Sequence, residues 1–275
     1  MMADTYRNKL VEWREEMDKN LRADYSWLAL WGLFWLDEGS NTIGSEAGTK
    51  IQLPARAANK LGSIELSDGK VTLHVLDESS FRLNKDERPS EDRVLKTDVS
   101  GSPDFLFVDD IRLMLIQRGE QLAIRVWDPQ HASRANFAGR KWFEPDDNFR
   151  VKARIEAYDP PKLVLVDDII GIQHEGEMQA ALVFEIDGEE QRLDAELLES
   201  GAYYIIMKDQ TASENTYPSG RYLVTEVAED GYVMIDFNRA YNPPCAFTDH
   251  ATCPLPRPEN VLDVAILAGE KYQEI

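Results

Sequence analysis

The chain has 275 residues, and its hydrophobic fraction of 43% is enough to build one large packed domain or two modest ones. Asp and Glu number 50 against 30 Lys and Arg, which gives a formal net charge of -20 at pH 7. This balance excludes DNA, RNA and anionic membrane surfaces as partners, because those contacts depend on clusters of Lys and Arg.

The N-terminal sequence, MMADTYRNKL, has neither the basic start nor the apolar core of a secretory signal. The longest apolar run, Trp27 to Leu36, is too short to span a bilayer. Together these features predict a cytoplasmic protein. Thiols usually stay reduced in that compartment, so the two cysteines do not by themselves imply a disulfide.

A helical arm is predicted over residues 1–38. Apolar residues recur at helical spacing from Tyr6 to Leu21. Asp24 and Ser26 offer capping groups for a second short helix through Trp27–Trp35. Four of the six tryptophans lie in this arm. We expect these aromatic side chains to close one end of a β-core, with a stacking platform for a ligand as the alternative.

Residues 39–128 change to the alternating pattern of short β-strands. Asp68-Gly69 is the turn chemistry of a hairpin, and a second turn is expected at Arg118-Gly119-Glu120. Strands this short and evenly spaced predict a β-sandwich that ends near Asp128.

The order of these strands resembles that of forkhead-associated (FHA) domains. The stretches that carry the resemblance are WLDEGSNTIGS, KIQLP, GKVTLHVL and IRLMLIQRG. FHA domains recognise phosphothreonine through an Arg after the Ile-Gly pair, but Ser45 follows Ile43-Gly44 in this chain. The resemblance therefore implies the sandwich and not phosphopeptide recognition. A protein-interaction module built on that scaffold is one functional hypothesis.

The second half of the chain, residues 129–275, is predicted to be another β-domain. It begins with a candidate linker, Pro129 to Ala138, and continues with alternating strands. Asp187-Gly188 and Asp230-Gly231 are expected to form hairpin turns. The predicted fold class is therefore all-β, with two packed sandwich-like or barrel-like domains and the helical arm.

A proline-rich stretch follows the last predicted strand, from Phe237 to about Asn260. Its prolines forbid regular ladders, and long irregular segments inside compact domains are usually functional or disordered. Because this stretch also contains aromatic residues and both cysteines, we expect an ordered cap that brings polar side chains to the mouth of the β-domain.

The candidate site residues gather around this cap. A strand end at DFNR would put Asp236 and Asn238 on one face. Arg239 is a candidate for bidentate binding of a carboxylate or phosphate, and Asp236 for a base or for the group that orients that Arg. The other expected lining residues are Arg140, Trp142, Arg221, Tyr222, Tyr241 and Asn242. The alternative is a buried Arg-Asp pair that holds the backbone carbonyls of the segment itself.

The cysteines leave several interpretations open. Cys245, His250 and Cys253 have a spacing that suits a soft metal, although a further ligand would have to come from elsewhere. Nucleophilic catalysis by a cysteine with His250, a disulfide, and simple packing of two reduced thiols are the alternatives. The chain lacks a glycine-rich phosphate loop, a G-x-S-x-G elbow and an H-E-x-x-H motif, and we expect no cofactor.

The same region identifies a family resemblance. DFNRAYNPPCAFT and ATCPLPRPEN, with TYPSGRYL, FAGRKWF and AGEKY, closely resemble the DUF1684 family of proteins of unknown function. The resemblance implies no reaction. From the residues we expect a small polar or anionic ligand in the second domain, with hydrolase-like turnover as a possible extension.

Overall fold

The computed structural model describes residues 2–76, 81–84 and 92–273, and their side chains from residue 5 onward. The predicted all-β class is confirmed, because most of the regular structure is strand and the long helix is N-terminal. The chain divides into two compact units. The sandwich unit is Lys19–Phe137, and the barrel-like unit comprises Met1–Asp18 and Ala138–Ile275.

The N-terminal helix α1 extends over Met2–Leu21, which confirms the helix predicted from the spacing of its apolar residues. Leu10 and Leu21 are buried on its apolar face. Among the described residues, no helix is both long enough and apolar enough to cross a bilayer.

The sandwich unit contains ten strands, counted over the residues that the structure describes. They are β1 (Leu30–Trp35), β2 (Gly39–Gly44), β3 (Ile51–Gln52), β4 (Gly62–Ser67), β5 (Lys70–Val75), β6 (Phe81–Leu83), β7 (Arg93–Val94), β8 (Phe105–Val108), β9 (Ile111–Arg118) and β10 (Gln121–Trp127). One sheet has the order β1-β10-β9-β8-β6 and the other the order β3-β2-β4-β5-β7. Apolar residues of both sheets, such as Ile64 and Ile124, share a single core, so this unit is a β-sandwich.

The predicted second helix through Trp27–Trp35 is wrong. A single 3₁₀ turn covers Trp27–Ala29, and Leu30–Trp35 is strand β1. This strand pairs antiparallel with β10, where Trp35 lies opposite Ala123. A continuous apolar run fits a buried strand as well as a buried helix, so periodicity could not separate the two.

The segment predicted as a linker carries a short helix, α2, over Ala132–Asn136. Arg134 donates hydrogen bonds from this helix to the backbone oxygen of Arg22 at 2.8 Å and to the carboxylate of Asp24 at 2.7 Å. These contacts join α2 to the residues after α1, and the sandwich unit extends as far as Phe137.

The barrel-like unit contains one six-stranded sheet. Its strands are β11 (Arg150–Asp167), β12 (Gln173–Ile186), β13 (Glu189–Leu197), β14 (Ala202–Met207), β15 (Arg221–Val227) and β16 (Tyr232–Asp236). Their order is β15-β14-β13-β12-β11-β16. The two edge strands are consecutive in the chain, and Tyr222 of β15 bridges to Tyr241 just beyond β16. The sheet therefore comes close to closing on itself.

The turns predicted from Asp-Gly pairs are confirmed. At Asp187-Gly188 the two φ angles are 53° and 81°, and at Asp230-Gly231 they are 50° and 78°. Asp68-Gly69 in the sandwich unit has φ angles of 51° and 73°. Paired positive φ angles are what a tight hairpin turn requires, and Asp-Gly supplies them at low cost.

The C-terminal segment, residues 237–273, contains three 3₁₀ turns (Phe237–Arg239, Pro244–Ala246 and Pro258–Asn260) and no strand among its described residues. Side chains fix its position on the sheet. The buried amide of Asn260 donates to the backbone oxygens of Asp194 and Ile206, both at 2.9 Å, and accepts from the Asp194 N–H at 2.8 Å. One asparagine thus connects β13 and β14 where their own ladder is short.

Candidate functional site

A pocket of about 660 Å³ lies at the end of β16 in the barrel-like unit. Helix α1, the start of β11, strand β15 and the turn after β16 all contribute side chains. The lining residues are Thr5, Tyr6, Lys9, Arg150, Glu226, Asp236 and Arg239. Three of these side chains are cationic and two are carboxylates, in a chain whose net charge is -20.

The sheet register and one turn bring Arg150, Asp236 and Arg239 together. Arg150 opens β11 and lies opposite Asp236 in the β11–β16 ladder. The 3₁₀ turn Phe237–Arg239 follows at once, and Asp236 caps it by accepting the Asn238 N–H at 3.2 Å. This turn directs Arg239 toward the same pocket as Asp236.

A close backbone approach supports that turn. Gly269 has a φ of 82°, and a Cβ there would lie 2.5 Å from the Ala240 carbonyl oxygen and 2.7 Å from the Phe237 carbonyl oxygen. Only glycine lets the closing AGEKY stretch lie directly against the turn.

The carboxylate of Asp236 is only 3% exposed and is surrounded by donors. The Tyr6 hydroxyl donates to it, with distances of 2.8 Å to Oδ2 and 3.0 Å to Oδ1. The Asn238 amide adds a bond to Oδ1 at 3.0 Å. Burial, and then the hydrogen bond to Asp236, raises the pKa of Tyr6 above its ordinary value, so the hydroxyl remains a proton donor.

Two guanidinium groups flank the same carboxylate. The Nε atoms of Arg150 and Arg239 each lie 3.7 Å from Asp236 Oδ2, which is an ion-pair distance and too long for a hydrogen bond. Arg150 stacks on the Tyr6 ring at 4.1 Å and pairs with Glu226 at 3.1 Å. The Arg239 side chain is 35% exposed. Because Asp236 does not hold either group by a direct hydrogen bond, N–H donors remain available at the pocket.

Trp142 lies behind this site and does not line the pocket. Its ring contacts Trp13 edge-on at a centroid distance of 5.4 Å, and the Arg14 guanidinium lies 4.8 Å from it. The Arg239 guanidinium is 5.4 Å from the centroid of Trp13. The aromatic pair therefore supports Arg239 from α1.

The side chain of Asn238 forms hydrogen bonds with the backbone. Its side chain is fully buried, accepts the Asp146 N–H at 2.9 Å and donates to the Asp146 carbonyl oxygen at 2.9 Å. These two hydrogen bonds fix the turn after β16 to the segment that precedes β11. Asn238 thereby positions Asp236 and does not face the pocket.

Arg140 and Asn242 meet at a buried carboxylate away from the pocket. Arg140 pairs with Glu270 at 2.5 Å, and the Asn242 N–H donates to the same Glu270 oxygen at 2.8 Å. Burial raises the pKa of Glu270 to about 7, although Arg140 and the Asn242 N–H act in the opposite direction. The Asn242 amide also donates to the Lys271 carbonyl oxygen at 3.0 Å, so both predicted site residues hold the C-terminal segment.

Arg221 also binds buried groups of the fold and does not line the pocket. It is 1% exposed, pairs with Asp209 at 2.7 Å, and donates to the carbonyl oxygens of Ile266 and Ala268. For Arg239 the sequence leaves open a buried Arg-Asp pair that holds carbonyls of the segment. The structure has that arrangement at Arg221 and Asp209.

Tyr222 and Tyr241 pack edge-on with a centroid distance of 6.0 Å, and Tyr204 packs on Tyr222 at 5.6 Å. The Tyr222 hydroxyl donates to the Pro254 carbonyl oxygen at 2.8 Å. Burial raises the pKa of all three hydroxyls. This aromatic cluster attaches the proline-rich segment to β14 and β15.

The cysteines lie close together in the C-terminal segment. Both are free, and the Cys245 N–H donates to Cys253 Sγ at 3.1 Å. Across the described ranges, no group of three or more His, Cys, Asp or Glu side chains is arranged to hold a metal ion. His250 therefore does not complete a ligand set with the two cysteines.

The sequence interpretation omitted five of the seven lining residues: Thr5, Tyr6, Lys9, Arg150 and Glu226. Tyr6 is 230 residues from the carboxylate it contacts, and only the strand register puts Arg150 opposite Asp236. The helical spacing of Tyr6 and Lys9 could have placed them on one face of α1, but no signal in the sequence indicates which strand end that face meets.

The chain matches a family model and a solved structure. A family model described as "Protein of unknown function (DUF1684)" matches residues 135–271, a range that includes Arg150, Glu226, Asp236 and Arg239. The solution NMR structure of an uncharacterized protein from Haloarcula marismortui is 32% identical, and the match covers 51% of this chain and 80% of that one, with a TM-score of 0.43. A comparison with curated proteins gives no match.

Proposed function

Because this chain belongs to the DUF1684 family, whose description states no activity, we propose a function from the pocket itself: the barrel-like unit binds a small anionic molecule beside Asp236. The observation that carries the proposal is the convergence of Lys9, Arg150 and Arg239 on one pocket of a strongly acidic protein.

Charge supports an anion more than a cation or a neutral molecule. The carboxylates of Asp236 and Glu226 leave one of the three lining cations without a counter-charge in the pocket. Guanidinium groups are well suited to carboxylates and phosphates because their planar fork donates two parallel hydrogen bonds. A ligand with one negative charge would complete the charge balance.

Size and preorganisation support a small ligand. A volume of about 660 Å³ lies within the range of roughly 300–1,000 Å³ that is common for small-molecule sites. Asp236 fixes the Tyr6 hydroxyl and lies within ion-pair distance of both guanidinium groups. Groups ordered in advance lose less conformational entropy on binding.

The same geometry gives less support to hydrolase-like turnover. A general base must be free to accept a proton from its substrate, but the Asp236 oxygens already accept hydrogen bonds from Tyr6 and Asn238. In this proposal Asp236 is the anchor of the site, and Arg239 is the residue that contacts the ligand.

The proposal is tested by isothermal titration calorimetry with inorganic phosphate, citrate and a nucleoside monophosphate as probes. Arg239→Gln and Arg150→Gln should each weaken binding of the best probe by at least about tenfold, because a hydrogen bond to a charged group contributes roughly 1.5–3 kcal/mol. Glycerol is the uncharged comparison and should not bind.

The matched control is Arg154→Gln. Arg154 lies on the same strand as Arg150 but pairs with Glu156, and its side chain is half exposed. This variant should bind like the wild type. If no anion binds, or if all three variants bind as the wild type does, the proposal is wrong.

A further inference from the structure

The two cysteines form a pair whose geometry the proposed anion site does not use. They are eight residues apart in sequence, and the 3₁₀ turn Pro244–Ala246 brings the Cys245 N–H to 3.1 Å from Cys253 Sγ. Both thiols are reduced, and a hydrogen bond connects their side chains. Two thiols that are joined by a hydrogen bond can form a disulfide with little movement of the chain.

The backbone on both sides of the pair is held in place. The Tyr217 hydroxyl donates to the Cys245 carbonyl oxygen at 2.9 Å, and the Ile169 N–H donates to the Cys253 carbonyl oxygen at 2.9 Å. The Tyr222 hydroxyl donates to the next carbonyl, that of Pro254, at 2.8 Å. The pair is therefore a preorganised feature of the segment and not a chance approach of two mobile thiols.

The two thiols differ in access and acidity. Cys245 is partly exposed, whereas Cys253 is 4% exposed. The hydrogen bond from the Cys253 thiol lowers the pKa of Cys245 and outweighs its burial, while the same bond and burial raise the pKa of Cys253. An accessible, more acidic thiol beside a buried partner is the arrangement of an attacking and a resolving cysteine.

We propose that Cys245 and Cys253 are a reversible dithiol–disulfide site, at which Cys245 reacts with small disulfides and Cys253 completes the exchange. Among the described residues, no third side chain is arranged with the two cysteines to hold a metal ion.

The exchange balances with a low-molecular-weight disulfide as oxidant. The Cys245 thiolate attacks one sulfur of that disulfide, forms a mixed disulfide and releases one thiolate. Cys253 then loses its proton and attacks Cys245 Sγ, which forms the internal S–S bond and releases the second thiolate. The protein gives up two electrons and two protons, and the external disulfide becomes two thiols.

The test incubates the full chain in mixtures of reduced and oxidised glutathione, followed by acid quenching, alkylation and mass spectrometry of the intact chain and its peptides. As the mixture becomes more oxidising, both thiols should disappear together, with loss of two hydrogens and a cross-link between the Cys245 and Cys253 peptides. A wild-type chain that keeps two free thiols in every mixture would overturn the proposal.

Single variants separate the two roles. Cys253→Ser should accumulate one glutathione on Cys245, because the resolving thiol is missing, whereas Cys245→Ser should gain none while folded. Glutathione on Cys253 in the second variant, or none on Cys245 in the first, contradicts the assignment.

Native alkylation of the wild type decides the roles even if a variant fails to fold. Iodoacetamide should modify Cys245 in the folded chain and reach Cys253 only after denaturant is added. Modification of Cys253 first, or of neither thiol before unfolding, would overturn the proposed order of reaction.

Discussion

The two units bury different kinds of side chain. In the sandwich unit, aliphatic residues from two sheets fill a common core, and few polar residues are buried among those that the structure describes: Asn41, Asp104, Arg125 and Asp128. In the barrel-like unit, charged and amide side chains are buried along the C-terminal segment and the strands it covers. These residues are Asp168, Asp194, Asp209, Arg221, Asp236, Asn238, Asn242, Asn260 and Glu270.

The difference follows from the backbone. Strands satisfy one another's N–H and C=O groups, so a sandwich can fill its interior with apolar atoms. The C-terminal segment has no strand partner along most of its described length, and its buried carbonyls need donors from side chains. Arg221 donates to Ile266 and Ala268 for this reason, and Asn242 donates to Lys271.

Polar composition alone therefore does not mark a site in this protein. Most buried polar residues of the segment have protein partners for their donors and acceptors. At Asp236 the surroundings differ, because two guanidinium groups lie beside an open pocket without a hydrogen bond to the carboxylate they flank. N–H donors that have no hydrogen bond to Asp236 and lie next to a cavity distinguish this site from buried ion pairs such as Arg221 and Asp209.

The largest effect is expected from Arg221→Met. This change leaves Asp209 charged and buried and removes the donors to two carbonyls, so we expect a loss of about 3–5 kcal/mol in the free energy of unfolding. Urea denaturation measures it. Arg192→Met is the control, because the side chains of Arg192 and Glu156 are 47% and 36% exposed, and it should cost less than about 1 kcal/mol. Equal losses of stability in the two variants would mean that the buried pair of Arg221 and Asp209 contributes no more than the surface pair of Arg192 and Glu156.

The contribution of the apolar core to the stability of the sandwich unit is tested by Ile124→Ala. Ile124 is fully buried between the two sheets, and the cavity left by its side chain should cost about 2–5 kcal/mol. The same urea titration measures this change. Val99→Ala, at a side chain that is 66% exposed, is the control and should leave the transition nearly unchanged. A small effect of Ile124→Ala would mean that this core is not what stabilises the unit.

A smaller, pH-dependent effect is expected at Glu270. Burial raises the pKa of this carboxyl from 4.5 to about 7 in the folded chain, so the folded state holds the proton more tightly than the unfolded state between those values. Stability should therefore fall as pH rises through this window, by on the order of 3 kcal/mol, and the loss should be complete above pH 7.

The measurement is urea unfolding from about pH 4.5 to 8, compared between the wild type and two variants. Glu270→Gln should flatten the decline, and Glu259→Gln, at a half-exposed carboxylate, should retain the wild-type slope. If Glu270→Gln keeps the wild-type slope, the carboxyl does not titrate in this range. The slope is the diagnostic quantity, because the Gln variant also removes the nearer of the two carboxylates that pair with Arg140 and so lowers stability by itself.

The sequence predicts the local features of the fold better than its distant contacts. Asp-Gly pairs predict three hairpins, because few other residue pairs adopt positive φ angles at two consecutive positions. The sequence predicts a helix where Leu30–Trp35 is a strand, because an uninterrupted apolar run carries no period. Its pairing with β10 depends on residues about ninety positions away, which no local pattern contains.

The candidate site shows the same limit. Asp236 and Arg239 could be selected from the strand end and the turn that follows it, since those positions are local. Arg140, Arg221 and Asn242 are also expected from the sequence to line the pocket, but they contact buried carboxylates or carbonyls of the segment. Only the three-dimensional arrangement distinguishes a donor that faces a pocket from one that faces the backbone.

The anion site beside Asp236 is tested most directly by NMR observation of the arginine Nε–H signals, assigned with Arg→Lys variants, during a titration with inorganic phosphate. The signals of Arg150 and Arg239 should shift together and saturate, while those of Arg154 and Arg221 should stay in place. Shifts at Arg221, or unchanged signals at Arg150 and Arg239 in the presence of saturating phosphate, would contradict a ligand site beside Asp236.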